Sequence, residues 1–390
     1  MRILVASHSY IVDLNCEKLR MLAQLEPDIE VTIVVPHRWR PGGVQNRIIE
    51  PKLRQDGSFR VVPISNFSDN NQGLLTFGTE IVSLLRNFRP QIIQVEQGAK
   101  ALGYAQFITL NKLLGLKAKN CFFTWWNLPY TLKFPLSILE AYNLHNTHGV
   151  IVGNQDARTV LRQRGYQGPI NIMPQLGVDE SRFCPQEQPE LKQKLGVKPH
   201  EFVVGFVGRF VTEKGLLTLG KALADLNDYA WKWLLVGRGY LQPLLMEKVV
   251  EWGIKDRLIW VESVPHEEVS RYINVMNVLV LPSETNPYFK TLTAMGWKEQ
   301  FGHVLIEAMA SKVPVIGSDC GEIPNVISEA GLIFPEGDAS KLQDCLRQLM
   351  EQPELTNHLA QLGYERAMSR YTNKALAIQL LKFYKEILAA

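Results

Sequence analysis

The sequence predicts an α/β protein built from two doubly wound parallel-sheet domains in tandem, facing each other across a cleft. Three observations predict it. Short β-branched apolar runs alternate with segments of helical period from end to end, as parallel strands covered on both faces require. The alternation stops and restarts once, around the Pro-, Gln- and charge-rich stretch PQLGVDESRFCPQEQPELKQKLGVKPHE. The length, 390 residues, matches two domains of ordinary size.

The first series opens with MRILVAS, a strand whose apolar run is too short, before the polar SHSY, for a signal peptide. CEKLRMLAQL follows as an amphipathic helix and VTIVVP as a second strand. FRVVPI, QIIQVE, NCFFTW and GVIVG continue as strands, with TEIVSLLRNF and LGYAQFITLNKLLG as helices between them. The second series runs through FVVGFVG, WKWLLVG, LIWVES, VLVLPS, VPVIGS and GLIFP. These runs place one domain at residues 1–180 and the other at 181–370. Residues 371–390, ending in the amphipathic NKALAIQLLKFYKEILAA, form a last helix expected to cross back to the first domain. Ligands of such sheets bind outside the carboxyl ends of the strands, here in the cleft.

Composition narrows the partners. Hydrophobic residues at 46% and charged residues at 21% exclude a disordered chain. A net charge of +3 excludes a dedicated nucleic-acid binder. Residues 1–195 carry 22 Lys and Arg against 16 Asp and Glu, and the remainder 20 against 23, so the halves differ in sign. Five scattered cysteines without a CxxC pair fit a reducing cytosol and offer no zinc spacing. No run of 18 apolar residues occurs, so the expected location is cytoplasmic. Residues 37–60, rich in Arg and Lys around Trp39, read either as a solvated basic loop or as a peripheral contact with the inner face of a membrane, in which Trp39 would be the interfacial anchor.

Two motifs carry chemistry. In WKEQFGHVLIEAMASKVPVIGSD, Glu299 and Glu307 stand eight apart, with a helix starting near Gly302–His303. Behind Phe301, the free N–H groups of Gly302, His303 and Val304 can face a diphosphate. Glu307, in the second turn, can reach a ribose diol docked there. About ninety residues earlier, VVGFVGRFVTEKGLLTLGKAL places Gly208, Arg209 and Lys214 after a strand, and two cations in such a loop can neutralise a departing pyrophosphate.

Taken together, GRF-x3-KG, LPS, EQFGHVLIEAMA, PVIGSDCGEIPNVI and AGLIFPEGD resemble glycosyltransferase family 4, retaining enzymes of the GT-B fold. The resemblance is strong over residues 165–390 and weaker before. It implies diphosphate binding by Arg209 and Lys214, Glu299 near the donor sugar, Glu307 on the ribose and the base near Val264. It implies a UDP-, GDP- or ADP-linked sugar as co-substrate, held by the second domain, with the acceptor on the first. It implies no cofactor and no metal, and the sequence has no DxD at a strand end and no His/Cys cluster. Two features depart from the family. The usual glycine pair after the first strand is replaced by SHSYIVD, with Gly42–Gly43 much later, and the usual first-domain histidine is absent from FFTWWNLPYT. Asn127 is the catalytic-side candidate in its place, Trp125 and Trp126 are either core residues or sugar platforms, His8 is either structural or an acceptor-side group, and Glu96 and Gln97 are acceptor-side candidates. Residues 285–298 form a candidate flap over the donor, and VGRGYL is a lone GxG that turns a strand into a helix.

These readings imply retaining transfer of a hexosyl group from a nucleotide sugar to a hydroxyl of a polysaccharide, a glycolipid or a small molecule. Attack on the face the diphosphate leaves would need no protein nucleophile. A nucleotide-sugar epimerase and a non-catalytic nucleotide-sugar-binding protein remain open as alternatives on the same fold. The absence of GxGxxG disfavours an oxidoreductase.

Overall fold

The computed structural model describes residues 1–41, 47–291 and 293–390. Gly42–Gly43, the displaced glycine pair, lies outside the described residues. The chain divides into two compact units, Met1–Gly177 with Asn373–Ala390, and Val178–Thr372. The stretch expected to be a connection crosses the boundary at Gly177–Val178, and most of it belongs to the second unit, where Pro189–Lys194 forms a short helix. This division sharpens the charge asymmetry. The first unit holds 22 Lys and Arg against 13 Asp and Glu, a net +9, and the second 20 against 26, a net −6.

Both units are Rossmann-like doubly wound sheets, the two folds that make up a GT-B chain. In the first, the described residues form an eight-stranded sheet in the order Ile170–Ile172, Gly149–Val152, Lys119–Thr124, Ile92–Val95, Arg2–Ala6, Glu30–Pro36, Phe59–Ile64, Arg54–Asp56. All pairings are parallel except that of the exposed edge strand Arg54–Asp56. Ile92–Val95 and Gly149–Val152 are buried at every residue; Gly149–Val152 therefore reads as an unbroken apolar run, while Ile92–Val95 buries one polar residue, Gln94. The order reverses beside Arg2–Ala6, and a sheet of this kind opens its ligand crevice at such a reversal.

The helix Asn373–Ala389 packs within this unit, burying Leu376, Leu380, Phe383, Tyr384 and Ile387. Gly149 makes room for it, since a Cβ there would sit 2.9 Å from Phe383 and Ile387. Trp39 does not serve as an exposed anchor. It is 3% exposed, hydrogen-bonded through its backbone to Ile49, and its ring lies 4.8 Å from that of His8. A buried ring has no face to offer a bilayer. Among the described residues, no helix is long and apolar enough to cross a membrane.

In the second unit the described sheet runs Leu258–Val261, Trp231–Val236, Phe202–Val207, Val278–Leu281, Val315–Ser318, Gly331–Phe334, all parallel. Its core is aromatic, with Phe206, Phe210, Trp231 and Trp233 fully buried. The order reverses between Phe202–Val207 and Val278–Leu281, so the loops leaving these two strands flank the expected crevice. They are Gly208–Lys214 and Pro282–Thr285. The candidate flap is an antiparallel hairpin of Asn286–Lys290 and Met295–Trp297, with Tyr288 exposed; Leu292 lies outside the described residues.

Candidate functional site

In the second unit the candidate residues gather at the reversal. Lys214 ends a single 3-10 turn, Thr212–Lys214, and its Nζ donates to Glu299 Oε2. Ser283 Oγ donates to the same oxygen at 2.8 Å, and the Trp297 ring centroid lies 5.3 Å from Lys214 Nζ. Glu299 is therefore a buried anion held by a cation from one loop and a hydroxyl from the next. An ammonium has three donors and this pairing takes one, which leaves Lys214 capacity for a phosphate oxygen. Arg209 is exposed in the same loop and has no ion-pair partner among the described residues. Gly208 precedes it, with its N–H donated to Val236 O. VGRGYL supports this loop rather than a ligand. Arg238 O accepts from Phe210 N, and a Cβ on Gly237 would lie 1.9 Å from Gly208 O.

The backbone around Glu299 is set by a partner that sequence reasoning assigned no role. Gly321, at φ +59°, packs so closely that a Cβ would lie 2.1 Å from Glu299 O, which also accepts Glu322 N at 3.1 Å. Ser318 Oγ in turn donates to Ser283 O. LPS and GSDCG were visible as motifs, but their function in clamping Glu299 needs the contact between two strand ends.

The helix after Glu299 is His303–Ala310, and Gly302 begins it in the left-handed region at φ +80°, ψ +57°. A side chain there would be strained, and its Cβ would meet Leu281 at 2.6 Å. Among the described residues no side chain caps this helix start, which leaves the N–H groups of Gly302, His303 and Val304 open to an anion. Phe301 is a packing residue, buried with its ring edge-on to Tyr371 at 5.7 Å.

Glu307 occupies the second turn and is buried. No hydrogen bond reaches its carboxyl among the described residues. His303 Nε2 and His266 Nε2 are 3.7 and 3.8 Å from Oε1, too far for good hydrogen bonds. Burial pushes the Glu307 carboxyl up to about 7. Burial also lowers His303 to about 4, assisted by His266, and lowers His266, assisted by Arg182. A buried carboxylate lacking donors is suited to a ligand that brings two hydroxyls. Val264, half-buried, lies two residues before His266 in the loop after Leu258–Val261. His266 escaped sequence reasoning because nothing local marks its approach to Glu307.

The first-unit candidates separate into used and open groups. Glu96 is not an acceptor reader. It is 1% exposed, Oε1 accepts Tyr10 OH at 2.8 Å and Gln94 Nε2 at 2.9 Å, and Oε2 accepts Gln175 Nε2 at 2.7 Å. Trp125 is likewise a wedge rather than a sugar platform. Its indole N–H donates to Gln175 Oε1 at 3.1 Å, and its ring fills the space a Cβ on Gly153 would need. His8 packs against the Trp39 ring at a 38° tilt, and burial lowers it to about 4, so it stays neutral near pH 7. Its Nδ1 and both side-chain polar atoms of Gln97 are buried without partners among the described residues. Asn127 is buried. One face of Trp126 is covered by the ammonium of Lys100, 3.4 Å from the ring centroid. Among the described residues, no group of three or more His, Cys, Asp or Glu converges as metal ligands.

Residues 187–366 match the family model described as glycosyl transferases group 1. The chain is 25% identical over 248 residues to N-acetyl-alpha-D-glucosaminyl L-malate synthase of Bacillus anthracis, covering 63% of this chain and 58% of that one. It is 23% identical over 333 residues to 2-deoxystreptamine glucosyltransferase of Streptomyces kanamyceticus, covering 78% and 82%. In fold it resembles the Anabaena protein HepE, crystallised in complex with UDP, with a TM-score of 0.72 at 16% identity and 99% coverage of both chains.

Proposed function

Because residues 187–366 match the family model of glycosyl transferases group 1, we propose that this chain transfers a hexosyl group from a nucleotide sugar to an acceptor hydroxyl with retention. The observation that carries this reading is the joined Lys214–Glu299–Ser283 cluster beside an uncapped helix start, with the unsatisfied Glu307 one turn further on. The likeness in fold to a protein bound to UDP supports a uridine nucleotide among the donors to test first.

In this reading the donor diphosphate lies against the N–H groups of Gly302, His303 and Val304. Arg209 and Lys214 meet its oxygens and stabilise the charge that grows as the bond to the sugar breaks. Glu299 holds Lys214 in place and, with it, faces the sugar. Glu307 accepts hydrogen bonds from the ribose diol, which replaces an unfavourable buried carboxyl with a satisfied one. The acceptor attacks on the face the diphosphate leaves, and a phosphate oxygen takes its proton. No divalent metal is needed, because the two cations and the helix dipole carry the negative charge.

The test is incubation with radiolabelled UDP-, GDP- and ADP-sugars and mixed acceptors, with and without EDTA. Transfer or slow donor hydrolysis that EDTA leaves unchanged is the expected result. Epimerisation without transfer, or binding without turnover, would replace this reading with one of the alternatives on the same fold.

A further inference from the structure

The carboxyl end of the first-unit sheet holds a second organised charge. Lys100 lies in the loop between the strand Ile92–Val95 and the helix Leu102–Leu113. Its Nζ sits 3.4 Å from the ring centroid of Trp126 and 3.9 Å from that of Tyr130. Both rings come from the loop after the neighbouring strand Lys119–Thr124. The two rings meet at 5.8 Å and 89°, so they form two walls of a corner around the ammonium.

The corner is built before any ligand arrives. Trp126 is fixed by its indole N–H to Leu128 O at 2.7 Å and its backbone N–H to Thr124 Oγ1 at 3.1 Å. Tyr130 is fixed by its hydroxyl, which donates to Glu140 Oε1. Glu140 Oε2 receives Arg164 Nε at 2.9 Å, so both oxygens of this buried carboxylate are engaged. The cluster thus brings two cations, Lys100 and Arg164, toward the carboxylate of Glu140, in a unit of net +9.

Ring faces replace part of an ammonium's hydration without cancelling its charge. In such a half-buried place an approaching anion is attracted more strongly than at an open surface. Burial lowers Lys100 to about 8, against Glu140, which raises it, and alongside Arg164, which lowers it further. The group therefore stays mostly protonated at pH 7 and acts as a cation, not a nucleophile. In the same loop, the buried amide of Gln97 has no partner among the described residues.

We propose that Lys100, in the corner of Trp126 and Tyr130, recognises an anionic group, carboxylate or phosphate, on the sugar acceptor. This names an acceptor class for the first unit and rests on the glycosyl-transfer reading above.

Calorimetric titration of the full chain, without donor, tests it with glucuronate, glucose 6-phosphate and neutral methyl glucoside. The two charged sugars distinguish carboxylate from phosphate as the preferred group. At least one should bind tenfold or more tighter than methyl glucoside. Lys100→Met should erase that preference and Lys100→Arg should keep most of it. Between pH 7 and pH 9 the wild-type preference should fall about tenfold as Lys100 loses its proton, and the Arg variant should not follow. Tyr130 and Arg164, which sit with Lys100 around Glu140, are both shifted upward and do not titrate in that window. Equal binding of charged and neutral sugars, or a preference that survives Lys100→Met, overturns the proposal. If the Met variant does not fold, a flat wild-type pH profile overturns it equally. UDP-glucose titrated into the same protein keeps the readings apart: donor binding without anion preference removes only the acceptor proposal, whereas absent donor binding removes the reading beneath it.

Discussion

Glu307 should make donor affinity depend on pH in a way that can be calculated. Its carboxyl is buried, is reached by no hydrogen bond among the described residues, and is pushed up to about 7. A ribose diol donates two hydrogen bonds best to the ionised form, which accepts through both oxygens, so binding should pull the group down toward the ordinary carboxylate range. The free protein must then release a proton to bind below pH 7. With a free value near 7, roughly one tenth of the protein is ionised at pH 6 and nine tenths at pH 8. Affinity for UDP-glucose should therefore rise about tenfold from pH 6 to pH 8 and level off above. The diester phosphates of this ligand do not titrate in the window, and His303 and His266 are lowered by burial. Glu307→Gln should flatten the profile and weaken binding at pH 8 by ~10- to 100-fold, the worth of one or two charge-assisted hydrogen bonds. The same shift acts on stability with the opposite sign. The native state keeps a proton that the unfolded chain gives up near pH 4.5, so stability declines as pH rises from there to about 7. The loss reaches ~3 kcal/mol at most, and Glu307→Gln, which cannot ionise, should raise Tm at pH 8. Calorimetry against pH and a thermal melt of both proteins decide the matter. A flat wild-type affinity profile, or the same slope in the Gln variant, would refute the reasoning.

The remaining expectations concern the rest of the donor site. Arg209→Ala and Lys214→Ala should each lower turnover on the order of 10²-fold, measured as labelled product per time. Lys214→Ala should also lose stability, because it strands the buried Glu299, whereas the double variant with Glu299→Gln should recover part of it; equal melts for single and double variants would contradict the pairing. Gly321→Ala should displace Glu299 through a contact of 2.1 Å and a strained φ of +59°, lowering turnover more than UDP affinity; unchanged kinetics would show that this clamp is idle.

The glycines and charges of the donor site were legible because their roles are local. Gly302 must begin a helix in the left-handed region, and GRF-x3-KG stands directly after a strand, so both declare themselves in a few consecutive residues. The hairpin Asn286–Lys290 with Met295–Trp297 and the edge strand Arg54–Asp56 were not legible. Largely exposed, they lack the apolar pattern that marks buried strands. Glu96 and Trp125 looked like reading groups because each ends a first-unit strand. Both are spent on Gln175, which stands 79 and 50 residues away in the chain.

By itself the sequence determined the alternation of strands and helices, the restart between two sheets and the cations and glycines that follow strand ends. These depend on residue periodicity and on φ, properties of a few neighbouring residues. Tertiary structure alone decided which polar groups remain available for chemistry. It buried Trp39 against His8, used up the oxygens of Glu96, left Glu307 without a donor among the described residues and set Lys100 against two rings. The reason is that a polar group's solvation and hydrogen bonds are supplied by residues brought near it from distant parts of the chain, and so its charge and availability are settled only by folding.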